Sequence, residues 1–308
     1  MTSSTRALVD AAVGEVGAIL LGKEPQLRLS LCCLLAGGHL LIEDLPGMGK
    51  TTLSHALAQV LGLSYKRVQF TSDLLPADIL GLSIYHREDN SFRFHPGPIF
   101  TQVLLADEIN RSTPRTQSAL LEAMAERQVS LEGETRALPD PFFVIATQNP
   151  LEQSGTYPLP ESQLDRFLMR IELGYPDPAA ERDMLRTLGG SRKPLSLTQR
   201  IDHDQLAQIR AGVDRVHASD SVVDYLQRLA QRSRKPGEFG VGLSPRGVLA
   251  LLRSAKTWAL MDDRDHVLPD DVQAVMPAVA AHRLQPGSGF TGDGAALVAL
   301  LQREVDVV

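Results

Sequence analysis

The run His39-Leu40-Leu41-Ile42-Glu43-Asp44-Leu45-Pro46-Gly47-Met48-Gly49-Lys50-Thr51-Thr52 decides the fold. His39 to Glu43 has strand character, a Gly-rich turn follows, and a helical pattern runs from Thr52 to Leu61. A phosphate-binding loop needs that strand–loop–helix order, because N–H groups of the turn and of the helix N-terminus then point at phosphate oxygens. Pro46, Gly47, Met48, Gly49 and Thr52 belong to this cradle. Lys50 supplies positive charge for the β- and γ-phosphates, and the Thr51 hydroxyl is placed to ligate Mg²⁺. The run departs from the strict G-x-x-x-x-G-K-[ST] pattern, since Asp44 stands where the first Gly would be. The rival explanation, a chance Gly/Lys turn capping a surface helix, does not account for the correct flanks.

Two more runs complete a nucleotide site. Leu104-Leu105-Ala106-Asp107-Glu108 is an apolar strand ending in two carboxylates. There Asp107 can hold the magnesium and Glu108 can polarise water. Phe142-Phe143-Val144-Ile145-Ala146 is another apolar strand, tipped by Thr147-Gln148-Asn149. All three runs place polar residues at the C-terminal end of a buried strand, the edge where ligands gather in open α/β sheets. Their joint occurrence implies binding and hydrolysis of ATP or a close relative.

A chain of 308 residues accommodates one large and one smaller domain. The formal charge is −6, from 31 basic and 37 acidic residues, which disfavours a nucleic-acid backbone as partner. The densest basic group, Arg228, Arg232, Arg234 and Lys235, reads as a solvated face or a subunit contact. The N-terminus lacks a basic region followed by an apolar core, and no apolar run approaches the ~20 residues of a membrane span. Adjacent Cys32 and Cys33 cannot staple distant parts of a fold and read as reduced core residues of a cytoplasmic protein. No Cys/His spacing resembles a zinc site.

Helical spacing predicts helices over Ser3–Leu21 and Glu24–Ala36, broken at Leu21-Gly22-Lys23. Strands are expected at Lys66–Phe70 and Met169–Leu173, and helices at Pro76–Leu80, Thr113–Glu126 (capped by Ser112) and near Ser162–Phe167. Hairpins are expected at 82–94, around Glu88-Asp89-Asn90, and at 129–137, around Glu132-Gly133-Glu134. Strands alternating with helices mean a mostly parallel sheet covered on both faces. A Gly/Pro joint, Gly189 to Pro194, precedes a part with no strand signal and five helical patterns: 204–216, 221–232, 245–261, 269–282 and 294–305.

Several runs resemble the MoxR family of AAA+ ATPases: Leu41–Thr51, Val68–Asp78, Gly97-Pro98-Ile99-Phe100, Leu105–Arg111 and Leu121-Glu122-Ala123-Met124. The resemblance continues in Ala146–Pro150, Gly155–Glu161 and Leu164-Asp165-Arg166-Phe167, then thins to Leu243-Ser244-Pro245-Arg246. Asp44 is what that family carries in its loop. The resemblance implies an α/β AAA+ core over 1–188, a parallel five-stranded sheet between helices, with an all-helical lid over 189–308. ATP and Mg²⁺ would lie between them, with Gly22 and its neighbours Leu21 and Lys23 near the adenine. Glu108 would be the general base or water-orienter, Asn149 the first sensor, and Arg246 the second sensor, reporting nucleotide state to the lid. Arg166, with Arg111 as rival, would be an arginine finger reaching a neighbour's ATP.

The resemblance further implies a homo-oligomeric, usually hexameric, ring that remodels or matures other proteins, metal-cofactor insertion included. Its partner would carry a von Willebrand factor A domain, and the two hairpins would face the pore or a partner. A metal-chelatase motor is the first alternative. A nucleic-acid-associated regulator is disfavoured by the charge balance, and a non-hydrolysing switch by the Asp107-Glu108 pair.

Overall fold

The computed structural model describes residues 4–88, 90–150, 155–188 and 197–307. The first half contains α1 (Thr5–Gly17), α2 (Glu24–Leu35), β1 (Leu40–Glu43), α3 (Lys50–Val60), β2 (Tyr65–Gln69), α4 (Pro76–Leu80), and the hairpin β3 (Gly81–His86) and β4 (Ser91–Pro96). It continues with β5 (Val103–Asp107), α5 (Pro114–Glu126), the hairpin β6 (Gln128–Leu131) and β7 (Glu134–Ala137), β8 (Phe143–Gln148), α6 (Glu161–Leu164), β9 (Met169–Ile171) and α7 (Pro178–Leu188). Beyond it lie α8 (His203–Arg215), α9 (Asp220–Ser233), β10 (Phe239–Val241), α10 (Pro245–Met261), α11 (Pro269–Ala280), β11 (Gln285–Pro286) and α12 (Gly294–Glu304).

Five strands form one parallel sheet in the order β2-β5-β8-β1-β9. Successive side chains of a strand point to opposite faces, and here both faces are apolar. Leu40, Ile42, Val103, Leu105, Phe143 and Ile145 join the core built with α1–α3, while Leu41, Leu104, Ala106, Val144 and Ala146 join the core under α5. Burial on both sides explains why these strands read as continuous apolar runs. The first core continues without a break into the C-terminal helices, through Leu251, Val272, Val275 and Met276. Cys32 and Cys33 are free and buried within it. Among the described residues no helix is long and apolar enough to cross a membrane.

The α/β core and the helical C-terminal part are as expected, and the departures have local causes. Thr113, not Ser112, caps α5: its side chain accepts the Thr116 N–H, while the Ser112 hydroxyl donates to Ile109 O and closes the preceding 3₁₀ turn. Strand β9 stops at Ile171, because the Leu173 and Gly174 N–H groups turn to the Asp44 carboxylate. Helix α6 ends at Leu164, and the carbonyls of Asp165, Phe167 and Leu168 face Arg283 instead. The helical part also holds a two-stranded antiparallel ribbon of β10 and β11. The Gly189–Pro194 joint lies outside the described residues, as does Asp89 of the first hairpin turn. The basic group around Arg228 faces its own chain: Arg232 pairs with Glu238 and Glu304, Arg228 donates to Asp306 O, and Arg234 donates to Leu243 O.

Candidate functional site

Parallel strands align their carboxyl ends, and register puts Gln69 beside Asp107 and Glu43 beside Gln148 on that edge. The loop after β1 turns through Gly47 and Gly49, with φ of 85° and 91°, values that L side chains rarely adopt. Asp44 ties this loop down. It is 8% exposed; Oδ1 accepts the Leu45 N–H (2.8 Å), and Oδ2 accepts those of Leu173 and Gly174 (both 2.7 Å). The carboxylate therefore does work that the glycine of the general pattern could not. Helix α3 begins at Lys50, whose ammonium donates to the carbonyls of Asp44 and Leu45.

At the end of β5, Asp107 is 7% exposed and its Oδ1 accepts the Thr147 hydroxyl (2.6 Å). That hydroxyl oxygen accepts the Glu108 N–H (2.9 Å), so β8 holds both carboxylate residues in register. Glu108 has φ 57°, a left-handed conformation that costs a non-glycine residue of order 1 kcal/mol and marks sites where geometry matters. Its Oε2 accepts from Gln69 Nε2 (2.7 Å) and pairs with Arg111 Nε (3.0 Å). Asn149, one residue past β8, is 7% exposed. Thr51 and Asp107 offer the hard oxygen donors that Mg²⁺ takes while keeping several waters, so the donor set fits that ion. A resident cation already touches Asp107: Arg67 Nε and Nη2 lie 3.0 and 2.6 Å from Oδ2.

A cleft of about 770 Å³ opens beside the loop. Gly47, Met48, Gly49, Thr51 and Thr52 form one wall, Leu20, Leu21 and Lys23 a second, and Tyr65 and Arg67 a third. The fourth wall is Gly174-Tyr175-Pro176 with Ala180, Glu181 and Met184 of α7, where Tyr175 is 71% exposed. The cleft thus joins an apolar end to a phosphate-type loop, as a nucleotide requires. Leu21 and Lys23 line it, whereas Gly22 (φ 71°) backs onto Asp177 and Ala180, so close that a Cβ would meet them. Pro46 is exposed on the loop.

Arg166 and Arg246 lie elsewhere. They line a separate cleft of about 280 Å³ with Arg127, Arg253, Arg283, Asp165 and the segment Gly37-Gly38-His39. His39 immediately precedes β1 and Leu168 immediately precedes β9, so this cleft stands at the amino edge of the sheet. Strand rise alone separates the two edges by roughly 16 Å. Arg246, expected as the second sensor, therefore stands at the start of α10 on the opposite edge of the sheet from Lys50 of the same chain. Arg166 Nη1 donates to Leu121 O, whereas its rival Arg111 pairs with Glu108 at the carboxyl edge. The result is a cleft with five guanidinium groups and one carboxylate, suited to an anion.

Sequence reasoning missed Arg67, Thr147 as a side-chain bridge, and the α7 wall. Arg67 was within reach of inspection, since a cation in strand β2 two residues before the carboxyl edge stands level with Leu105 and must meet the Asp107 end.

Residues 39–169 match the family model described as ATPase family associated with various cellular activities (AAA), and residues 231–300 match that of the AAA lid domain. The chain is 46% identical over 287 residues to the uncharacterized protein YeaC of Bacillus subtilis, covering 92% of this chain and 90% of that protein. It is 40% identical over 285 residues to Chaperone MoxR1 of Mycobacterium tuberculosis, with 90% and 75% covered. A crystal structure of a candidate ATPase from Cytophaga hutchinsonii superposes with a TM-score of 0.89 at 35% identity, over 98% of this chain and 95% of that one.

Proposed function

The chain belongs to the MoxR family of AAA+ ATPases, and on that premise we propose that it hydrolyses ATP in a site shared between copies of itself. One observation carries this: the Gly47–Thr51 loop with Asp107 and Glu108, and the pair Arg166/Arg246, occupy opposite edges of one sheet. A single copy cannot bring its own arginines to its own loop, whereas two copies stacked edge to edge can. Lys50 and the loop amides then hold the phosphates, and Thr51 with Asp107 would hold Mg²⁺, which would supply positive charge there. Glu108 aligns and deprotonates the attacking water, with Asn149 beside it. Arg166 and Arg246 of the neighbour meet the charge that develops on the transferred group. In other phosphoryl-transfer systems such an arginine contributes about 10³–10⁵ in rate.

Such head-to-tail contacts close into a ring where the rotation between copies allows it, and family analogy makes that ring six copies. Residues 1–188 act as nucleotide-binding domain and 189–308 as lid. The biological task is chaperone-like remodelling or maturation of protein partners in the cytoplasm, with a von Willebrand factor A domain protein and metal-cofactor insertion as its finer form. Its support is the kinship with Chaperone MoxR1 and the hairpin β3–β4, which presents Leu82, Ile84, Tyr85 and Phe92 to the outside. The test is light scattering of the Glu108→Gln variant with and without ATP·Mg²⁺. Nucleotide-dependent growth to about six subunits is expected. A monomer with ATP demonstrably bound would defeat the shared-site proposal.

A further inference from the structure

Arg283, just past the end of α11, has a side chain that is 4% exposed, and each of its five N–H groups has an acceptor. Nε donates to Asp165 Oδ1 (2.6 Å). Nη2 donates to Phe167 O (2.7 Å) and Asp165 O (3.3 Å), and Nη1 to Leu168 O (3.1 Å) and Val279 O. Four of the five oxygen acceptors thus belong to Asp165, Phe167 and Leu168, on either side of Arg166, and His282 Nε2 lies 2.8 Å from Nη1 as a further partner. Leu168 N–H in turn donates to His39 O (2.8 Å) at the foot of β1, so the far end of the segment is fixed to the sheet. A buried guanidinium is tolerated only when paired and fully bonded, which makes this geometry stiff.

We infer that Arg283 is a positioning residue for Arg166, carrying the placement of lid helix α11 into the segment that presents that arginine. The inference rests on the proposal that Arg166 acts on a neighbouring copy's nucleotide. The same amino-edge cleft takes Arg246 and Arg253 from α10, so α10 and the turn after α11 both contribute to it. A lysine at 283 keeps the charge opposite Asp165 but, as a compact ammonium on a flexible stem, cannot reproduce the planar fork that bridges Asp165, Phe167 and Leu168. A small misplacement of a transition-state group is expected to lower the rate by about 10- to 100-fold.

The experiment is subunit mixing with the full-length Arg283→Lys variant, read by phosphate release and by affinity for a fluorescent ATP analogue. The variant alone should bind nucleotide within about twofold of wild type while kcat falls about 10- to 100-fold. Mixing with Lys50→Ala, which retains an intact arginine edge, should restore turnover, and mixing with Arg166→Ala should not. Asp165→Asn, which leaves Arg283 its carbonyl acceptors, should show the same pattern and serves if Arg283→Lys fails to fold. Unchanged kcat, or restoration by Arg166→Ala, would overturn the positioning role alone. If Arg166→Ala itself is not restored by Lys50→Ala, the underlying trans proposal fails and this inference with it.

Discussion

Replacing Asp44 by glycine, the residue that the general phosphate-loop pattern places there, should destabilise this protein. The substitution removes the acceptor of three N–H groups, on Leu45, Leu173 and Gly174. Leu173 is 2% exposed, whereas Leu45 and Gly174 are only half-buried and can take water instead. An N–H group buried without a partner costs about 1–3 kcal/mol, and a bond to a charged acceptor contributes about 1.5–3 kcal/mol. Leu173 at full cost and the other two at a fraction give about 3 kcal/mol, to which the freer unfolded chain of glycine adds about 0.5–1 kcal/mol. The sum, about 4 kcal/mol, is a large share of the 5–15 kcal/mol typical of a folded protein. Equilibrium urea unfolding measures it as a drop in midpoint at constant slope. The same bonds hold Gly174 and Tyr175 against the loop, so nucleotide affinity should fall in parallel. Asp44→Asn should be intermediate, because its amide oxygen can still serve Leu173 and Gly174 while its NH₂ faces the Leu45 donor. A loss under about 1 kcal/mol for Asp44→Gly, with unchanged nucleotide affinity, would refute the tie and reduce Asp44 to a tolerated variant of the pattern.

Three further outcomes are expected. Glu108→Gln should retain nucleotide binding and lose about 10²–10⁴ in turnover, measured by phosphate release; full turnover would move the base elsewhere. Arg67→Ala should strengthen the dependence of nucleotide affinity on Mg²⁺ by about threefold to fivefold, because a half-exposed ion pair at Asp107 no longer competes with the ion. Titration calorimetry with and without Mg²⁺ reads this, and an affinity lost equally in both conditions would instead make Arg67 a phosphate ligand. Burial brings His39 down from 6.5 to about 4, with Nδ1 accepting the Val144 N–H (2.9 Å) and Nε2 facing Met124 O. Between those values the unfolded chain holds a proton that the folded one lacks, so this stability is complete above pH 6.5 and falls by about 3 kcal/mol as pH drops toward 4. Urea unfolding at pH 7 and at about 4.5 should show the loss, and His39→Gln should reduce it but not abolish it, because burial also lowers His282; an unchanged slope would remove His39 as a cause.

The three inner strands β1, β5 and β8 were legible because each is a continuous apolar run closed by polar or Gly-rich residues, and the carboxyl-edge site because its groups follow those strands directly. Both hairpins were legible from their turn residues. Helix α7 was not foreseen, since Met184 and Leu185 are largely exposed and form no stripe toward a core. Strands β10 and β11 are three and two residues long and contain Gly240 and Pro286, so they carry no strand pattern. The amino-edge cleft could not be read at all. Arg127, Arg166, Arg246, Arg253 and Arg283 come from distant parts of the chain, and only the packing of α10 and α11 beneath the sheet gathers them. For the same reason the place of Arg246 was not legible: its motif fixes its position on a helix, but not the edge of the sheet against which that helix packs.

The most direct test of the shared site is phosphate release from an equimolar mixture of Arg166→Ala and Lys50→Ala subunits. Each variant alone should be inert. The mixture should reach about one quarter of the wild-type rate, because half of the subunits keep the phosphate loop and half of their neighbours keep the arginine. A mixture as inert as its components, in assemblies shown by light scattering to contain both, would contradict a site completed between copies.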